Sequence, residues 1–205
     1  GTTLVASYTA DLSGLGGGSA AVFASGFLDP SSNQNGESFG IFAALANGVV
    51  VEFKQTARVQ VIHNSADVAA GIVDIYLNGS LLLEDFAFRA ATPFVDLPSD
   101  VTLNIGVSLP DQTINDTLKN FAVALNPGGK YVVFANGVLD TSLYAENPDG
   151  RDNSFTLLVK DMALESALSS NVEFFVLHGA TDAPTVDVIA REASLTLVDD
   201  AAYRD

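Results

Sequence analysis

The chain holds two histidines, and each ends an apolar run, with an aspartate four residues on and another beyond. His63 follows Val59–Ile62 and is followed by Asp67 and Asp74, while His178 follows Phe174–Leu177 and is followed by Asp182 and Asp187. An imidazole with two carboxylates can ligate a metal or relay a proton. The same residues can instead fix a loop, the histidine by hydrogen bonding to backbone and Asp67 and Asp182 by Asx-type turns. The structural role is the one expected here. The sequence offers no Cys, no His-x-x-x-His pair and no Ser-centred nucleophile elbow to accompany either histidine. No catalytic residue is assigned, and a non-enzymatic protein is expected.

A second group of polar residues lies in Glu146-Asn147-Pro148-Asp149-Gly150-Arg151-Asp152-Asn153. Oxygen ligands on a glycine-bearing turn suit Ca²⁺, so Asp149, Asp152 and Asn153 are the candidate metal ligands and calcium the one cofactor suggested. Their spacing does not follow the EF-hand loop, and an ordinary solvated hairpin loop selects the same residue types. Gly14–Gly18 lacks the following Lys-Ser/Thr of a phosphate cradle and reads as a hairpin tip. Phe86, Phe88, Phe94 and Phe121 read as packing residues. The absence of Trp argues against large aromatic platforms for stacking sugars.

Composition narrows the partners. Of 205 residues, 25 are acidic and 9 basic, a formal net charge of -16. Phosphate binding needs clustered positive charge, so nucleic acid is excluded as a partner. Hydrophobic residues make up 48% of the chain, enough for a core, yet its longest apolar runs are only strand-length and none could span a membrane. The chain starts at Gly1 without a Met, which is expected of a processed protein or a piece of a longer one. Absence of Cys is compatible with export when modules are large enough to bury a core.

The elements that carry the histidines recur. Val22-Phe23-Ala24-Ser25-Gly26 returns as Val133-Phe134-Ala135-Asn136-Gly137, displaced by 111 positions (133 − 22). The His63 block returns at His178 with a displacement of 115 (178 − 63), and Ala87-Phe88-Arg89 returns as Ala202-Tyr203-Arg204 with the same 115 (202 − 87). Val73-Asp74-Ile75 returns as Val186-Asp187-Val188, displaced by 113 (186 − 73). Four blocks in one order define a module. Residues 57–170 hold a complete copy, residues 1–56 the C-terminal half of one, and residues 171–205 the N-terminal half of another. The two halves could complete each other within one chain or between neighbouring chains.

The module is predicted to be β throughout. Val59–His63 and Val101–Ile105 alternate apolar and polar residues, as half-buried strands do. Tyr131–Phe134 and Phe155–Val159 are rich in β-branched and aromatic residues. Asn78-Gly79, Asn126–Gly129 and Asn147–Gly150 mark turns between them. Short strands with frequent turns predict a sandwich or barrel. Met162–Ser169 and Gly40–Ala46 are expected to form short helical turns.

These blocks resemble the domain-of-unknown-function 4397 family. The resemblance is carried by Val61–Asp67, Val73–Tyr76, Leu77-Asn78-Gly79 and Gly129–Gly137, and again by His178, Asp182, Pro184 and Asp187. It implies immunoglobulin-like or transthyretin-like antiparallel β-sandwich modules, in tandem, in exported bacterial or archaeal proteins, with no catalytic role. The expected protein is thus an extracellular or cell-surface structural or adhesion protein whose partners are its own copies. It could form a filament or a surface layer. The alternative is a calcium-assisted module that binds a glycan or another protein.

Overall fold

The computed structural model describes residues 6–10, 16–167, 170, 172–192 and 194–205. Its strands, numbered in chain order, are β1 (Tyr8–Thr9), β2 (Ala20–Ser25), β3 (Gly40–Leu45), β4 (Val50–Glu52), β5 (Lys54–His63), β6 (Ile72–Leu77), β7 (Ser80–Ala87), β8 (Val95–Pro98), β9 (Thr102–Ser108), β10 (Lys119–Ala124), β11 (Lys130–Asn136), β12 (Thr156–Lys160), β13 (Val186–Ala190) and β14 (Leu195–Ala201). Only strands and single 3-10 turns occur among the described residues, so the fold is all-β, as expected. No helix there is long and apolar enough to cross a membrane.

The chain divides into two compact units. One comprises Gly1–Ala57, Asp96–Val101 and Ala124–Gly129, and the other Arg58–Val95, Thr102–Val123 and Lys130–Asp205. This division differs from a simple cut at the repeat boundaries. Residues 96–101 and 124–129 of the central copy group with the first half-copy, and residues 171–205 group with the central copy.

The second unit is a sandwich. One sheet places β11 between β12, antiparallel, and the Arg58–His63 part of β5, parallel. The other runs β10-β9-β6-β7, and its β6–β7 and β6–β9 pairs are antiparallel. The parallel β5–β11 pair departs from the expected all-antiparallel arrangement. It arises because the chain crosses from β5 through the whole second sheet before returning as β11, so both strands run the same way. Between the sheets lies the core, with Val73, Ile75, Phe86 and Val107 from the second sheet against Ala135 and Phe155, and Val61, Phe121 and Leu157 packed on it. Removing these side chains from water at about 25 cal/mol per Å² is what holds the two layers together. Phe86 and Phe121 are thus packing residues as read from the sequence.

Turn chemistry sets the registers. The β6–β7 hairpin closes on Asn78 (φ 50°) and Gly79 (φ 87°), with Leu77 opposite Ser80. Two central residues with positive φ make the turn whose twist matches the flanking strands, and Asn-Gly tolerates them best.

In the first unit, β2, β3 and β4 form an antiparallel sheet, and β1 pairs with the start of β5 through Tyr8–Gln55 and Thr9–Lys54. Thr56 is anchored here: its hydroxyl donates to the Asp96 carboxylate at 2.9 Å and its N–H to the Ser7 carbonyl at 2.9 Å.

Both expected helical turns are corrected. Gly40–Leu45 is strand β3, because β2 and β4 supply hydrogen-bonding edges on both its sides. Met162–Ala167 is irregular, and Leu168 and Ser169 lie outside the described residues. Gly14 and Leu15 of the glycine-rich stretch also lie outside them.

Candidate functional site

The His63 loop is built from the end of β5 outward. His63 is 0% exposed, wedged against the rings of Phe86 and Phe88. Its Nε2 donates to the Ala70 carbonyl at 2.7 Å, and its Nδ1 accepts the Ser65 N–H at 3.3 Å. Both ring nitrogens are therefore spent on backbone. Burial holds the imidazole below its ordinary value, and the bond to the Ala70 carbonyl offsets this only in part. The neutral ring is the form that fits.

Asp67 is the hub of the loop. It is buried, and its carboxylate accepts the Ala69 N–H at 2.8 Å, the Tyr144 hydroxyl at 2.7 Å and the Leu139 N–H at 2.7 Å. The first bond caps a 3-10 turn over Val68–Ala70. The other two tie the loop to the segment after β11. Burial opposes ionisation of Asp67, but the bonds from Tyr144, Leu139 and Ala69 outweigh it and hold the carboxyl below its ordinary value. Ser65 donates to the Gly137 carbonyl at 2.6 Å. Gly137 itself has φ 95°, and a Cβ there would lie 2.3 Å from the Ser154 carbonyl oxygen. Asp74 plays a separate part on β6: it accepts the Asp85 N–H at 2.8 Å and so stabilises a bulge in the β6–β7 hairpin.

The second histidine repeats this geometry. The Nε2 of His178 donates to the Pro184 carbonyl at 2.9 Å, and its Nδ1 lies 3.4 Å from the Ala180 N–H. His63 exchanges backbone bonds with Ala90 (3.0 Å) and Arg89 (2.7 Å), and His178 does the same with Asp205 (3.0 Å) and Arg204 (2.8 Å). Asp187 accepts the Asp200 N–H at 2.9 Å, as Asp74 does that of Asp85. Asp182 differs from Asp67: it is exposed, and its carboxylate accepts no hydrogen bond among the described residues.

The loop read as a candidate calcium site is hydrogen-bonded to the segment Thr181–Thr185. Asp149 accepts both the N–H (2.6 Å) and the hydroxyl (2.8 Å) of Thr185, which lower its pKa. Asn147 donates to the carbonyls of Thr181 and Ala183, each at 3.1 Å. Asp152 accepts from the Ser154 N–H at 2.9 Å and hydroxyl at 2.8 Å, with Arg204 3.4 Å away, and Asn153 donates to the Ala145 carbonyl at 3.1 Å. Donors that would compete with a cation already occupy Asp149 and Asp152. The acidic side chains that do crowd together among the described residues are Asp187, Asp199 and Asp200, with ligand atoms within 4.8 Å of one another and all exposed.

The residues that sequence reasoning missed are Tyr144, Asn147, Asn136 and Tyr203. The Asn136 amide lies 2.8 Å from the hydroxyl of fully buried Tyr203 and 2.7 Å from the Asn64 amide. The pairing of Phe88 with Tyr203 in the repeat was the available signal, since only the tyrosine carries a hydroxyl to satisfy Asn136.

Fold and site together define a β-sandwich module braced by a buried His–Asp loop. The chain belongs to the family described as a domain of unknown function (DUF4397), which matches residues 57–189. No curated protein matches it.

Proposed function

We propose that this protein is a non-enzymatic structural or adhesion protein of the cell exterior, made of tandem modules and assembled with its own copies as a filament or surface-layer component. The observation that supports this reading is an exposed apolar strand at the edge of the β2-β3-β4 sheet in the first unit. Strand β2 is exposed along its whole length, with Val22 61% and Phe23 41% accessible. An apolar strand with an open edge is a template for pairing with another chain. The histidine supports the same reading, because an imidazole with both nitrogens bonded to backbone braces a loop. Sedimentation and electron microscopy at rising protein concentration test the proposal. Ordered multimers are expected, and a monomer at every concentration overturns it. An antibody against the protein should label intact cells.

A second reading, calcium-assisted binding of a glycan or protein, is favoured by the crowding of Asp187, Asp199 and Asp200. Binding to the folded state must raise its melting temperature. An unchanged Tm at millimolar calcium removes this reading.

A further inference from the structure

We infer that the open edge of β2 is the docking site for residues Val172–Asp182 of a second copy of this chain, which add to it as a parallel strand. This deepens the assembly reading above and rests on it.

The equivalent edge is occupied in the second unit. In the central module, β11 has β12 on one edge and β5 on the other. The parallel register sets Val133 beside Val61, Phe134 beside Ile62 and Ala135 beside His63. Beyond the strands the Asn64 N–H donates to the Ala135 carbonyl at 2.8 Å, and the Leu139 N–H to Asp67 at 2.7 Å.

The first unit repeats the receiving half of this arrangement. Ser25 faces Gly40 as Asn136 faces Thr156. Gly26 has φ 87° beside Ser38, as Gly137 has φ 95° beside Ser154. Phe27 bridges Ser38 as Val138 bridges Ser154. Asp29 caps a 3-10 turn at Pro30–Ser32 as Asp140 caps one at Thr141–Leu143. One part is missing: among the described residues β2 pairs only with β3, and no strand lies where β5 lies on β11. Leu28, the counterpart of Leu139, is 70% exposed.

The other half is present without its acceptor. Val172–Leu177 has the apolar character of β5 yet forms no strand, with Val172 87% and Phe174 64% exposed. The backbone bonds of His178 are those His63 makes while β5 lies on β11, so docking breaks none of them. Carrying the register across by 111 and 115 positions puts Val176 beside Val22, Leu177 beside Phe23 and His178 beside Ala24. The carboxylate of Asp182, counterpart of Asp67, then accepts the Leu28 N–H. Ala180 stands where Ser65 stands, so the bond to the glycine carbonyl has no equivalent. Main-chain pairing supplies the affinity of strand addition, and alternate side chains its specificity. The contact joins unlike surfaces of two copies, a heterologous interface that gives a closed ring or an open filament.

The chain has no Cys, so engineered thiols report cleanly. Singly substituted V22C and V176C proteins, mixed and oxidised, are expected to give a covalent dimer, while V22C mixed with V186C gives none. Adding Asp182→Ala to V176C should cut the yield by about tenfold, the loss of a hydrogen bond to a charged acceptor. If copies assemble in sedimentation but V22C and V176C do not cross-link, the docking site is overturned and the assembly reading stands. If nothing assembles, both fall. A V22C/V176C double variant that closes its disulfide without gaining mass overturns the second copy as occupant. In the unsubstituted protein, amide exchange at Leu28 should slow as concentration rises, and unchanged exchange overturns the site independently of any variant.

Discussion

Asp67 accepts the backbone N–H of Leu139, 72 positions away in sequence, at 2.7 Å. That bond joins the loop after β5 to the segment after β11, and the Tyr144 hydroxyl closes on the same carboxylate. The parallel pair of strands is thereby locked at its end by a buried charge with three donors.

Removing that charge should be expensive. Asp67→Ala leaves two N–H groups and a hydroxyl without their acceptor. Hydrogen bonds to charged groups contribute about 1.5–3 kcal/mol, so a loss of about 3 kcal/mol is expected. Tyr144→Phe, which removes one donor and leaves two, should lose about 1 kcal/mol. Urea unfolding at constant slope measures both, and equal losses would contradict the hub role.

Stability should rise with pH through the range in which His63 titrates. Burial keeps the folded imidazole below its ordinary value of 6.5. The unfolded chain therefore binds the proton first on acidification. The contribution of the neutral ring is complete above about 6.5 and is lost as pH falls below it. Asp67 acts in the same direction lower down, because its carboxyl lies below the ordinary 3.8 when folded, so its contribution is lost as pH falls below that value. Denaturant midpoints at pH 7.5 and 5.5 should differ in the native protein and converge in His63→Gln.

Gly137 and Gly26 answer to the same constraint. Both have strongly positive φ, and a Cβ would meet the carbonyl oxygen of Ser154 at 2.3 Å or of Ser38 at 2.1 Å. Gly137→Ala and Gly26→Ala should each destabilise their own unit by about 2 kcal/mol or more. Hydrogen exchange resolved by segment distinguishes the two, and a variant that leaves its own unit unchanged would show that the strand end can relax.

Asp149→Ala should release the segment that begins at Thr185. Both donors of Thr185 lose their acceptor, while the sandwich core is untouched. Faster amide exchange at Thr185 and earlier proteolysis between Thr181 and Val186 are expected, with little change in core exchange. A calcium-dependent phenotype of this variant would instead return the loop to metal binding.

Much of this was legible in residue order. Alternation in Val59–His63 marked a half-buried strand, and Asn78-Gly79 marked the turn between β6 and β7, because both are properties of a few adjacent residues. The repeat displacements matched the residues after His178 to the loop after His63. The role of Asp149 was not legible, since Asn, Asp and Gly suit a solvated turn, a cation or a clasp equally. The acceptance of both Thr185 donors by Asp149 joins residues 36 positions apart and leaves no local signature in the sequence.

Sequence alone determined the local grammar: the all-β character, the turns and the recurring blocks. Tertiary structure alone decided which strands found partners. Val59–Ile62 and Phe174–Leu177 are similar apolar runs before similar histidines, yet the first is strand and the second is not. A strand has no hydrogen bonds of its own; the edge that receives it supplies them, and β11 offers that edge to only one of the two.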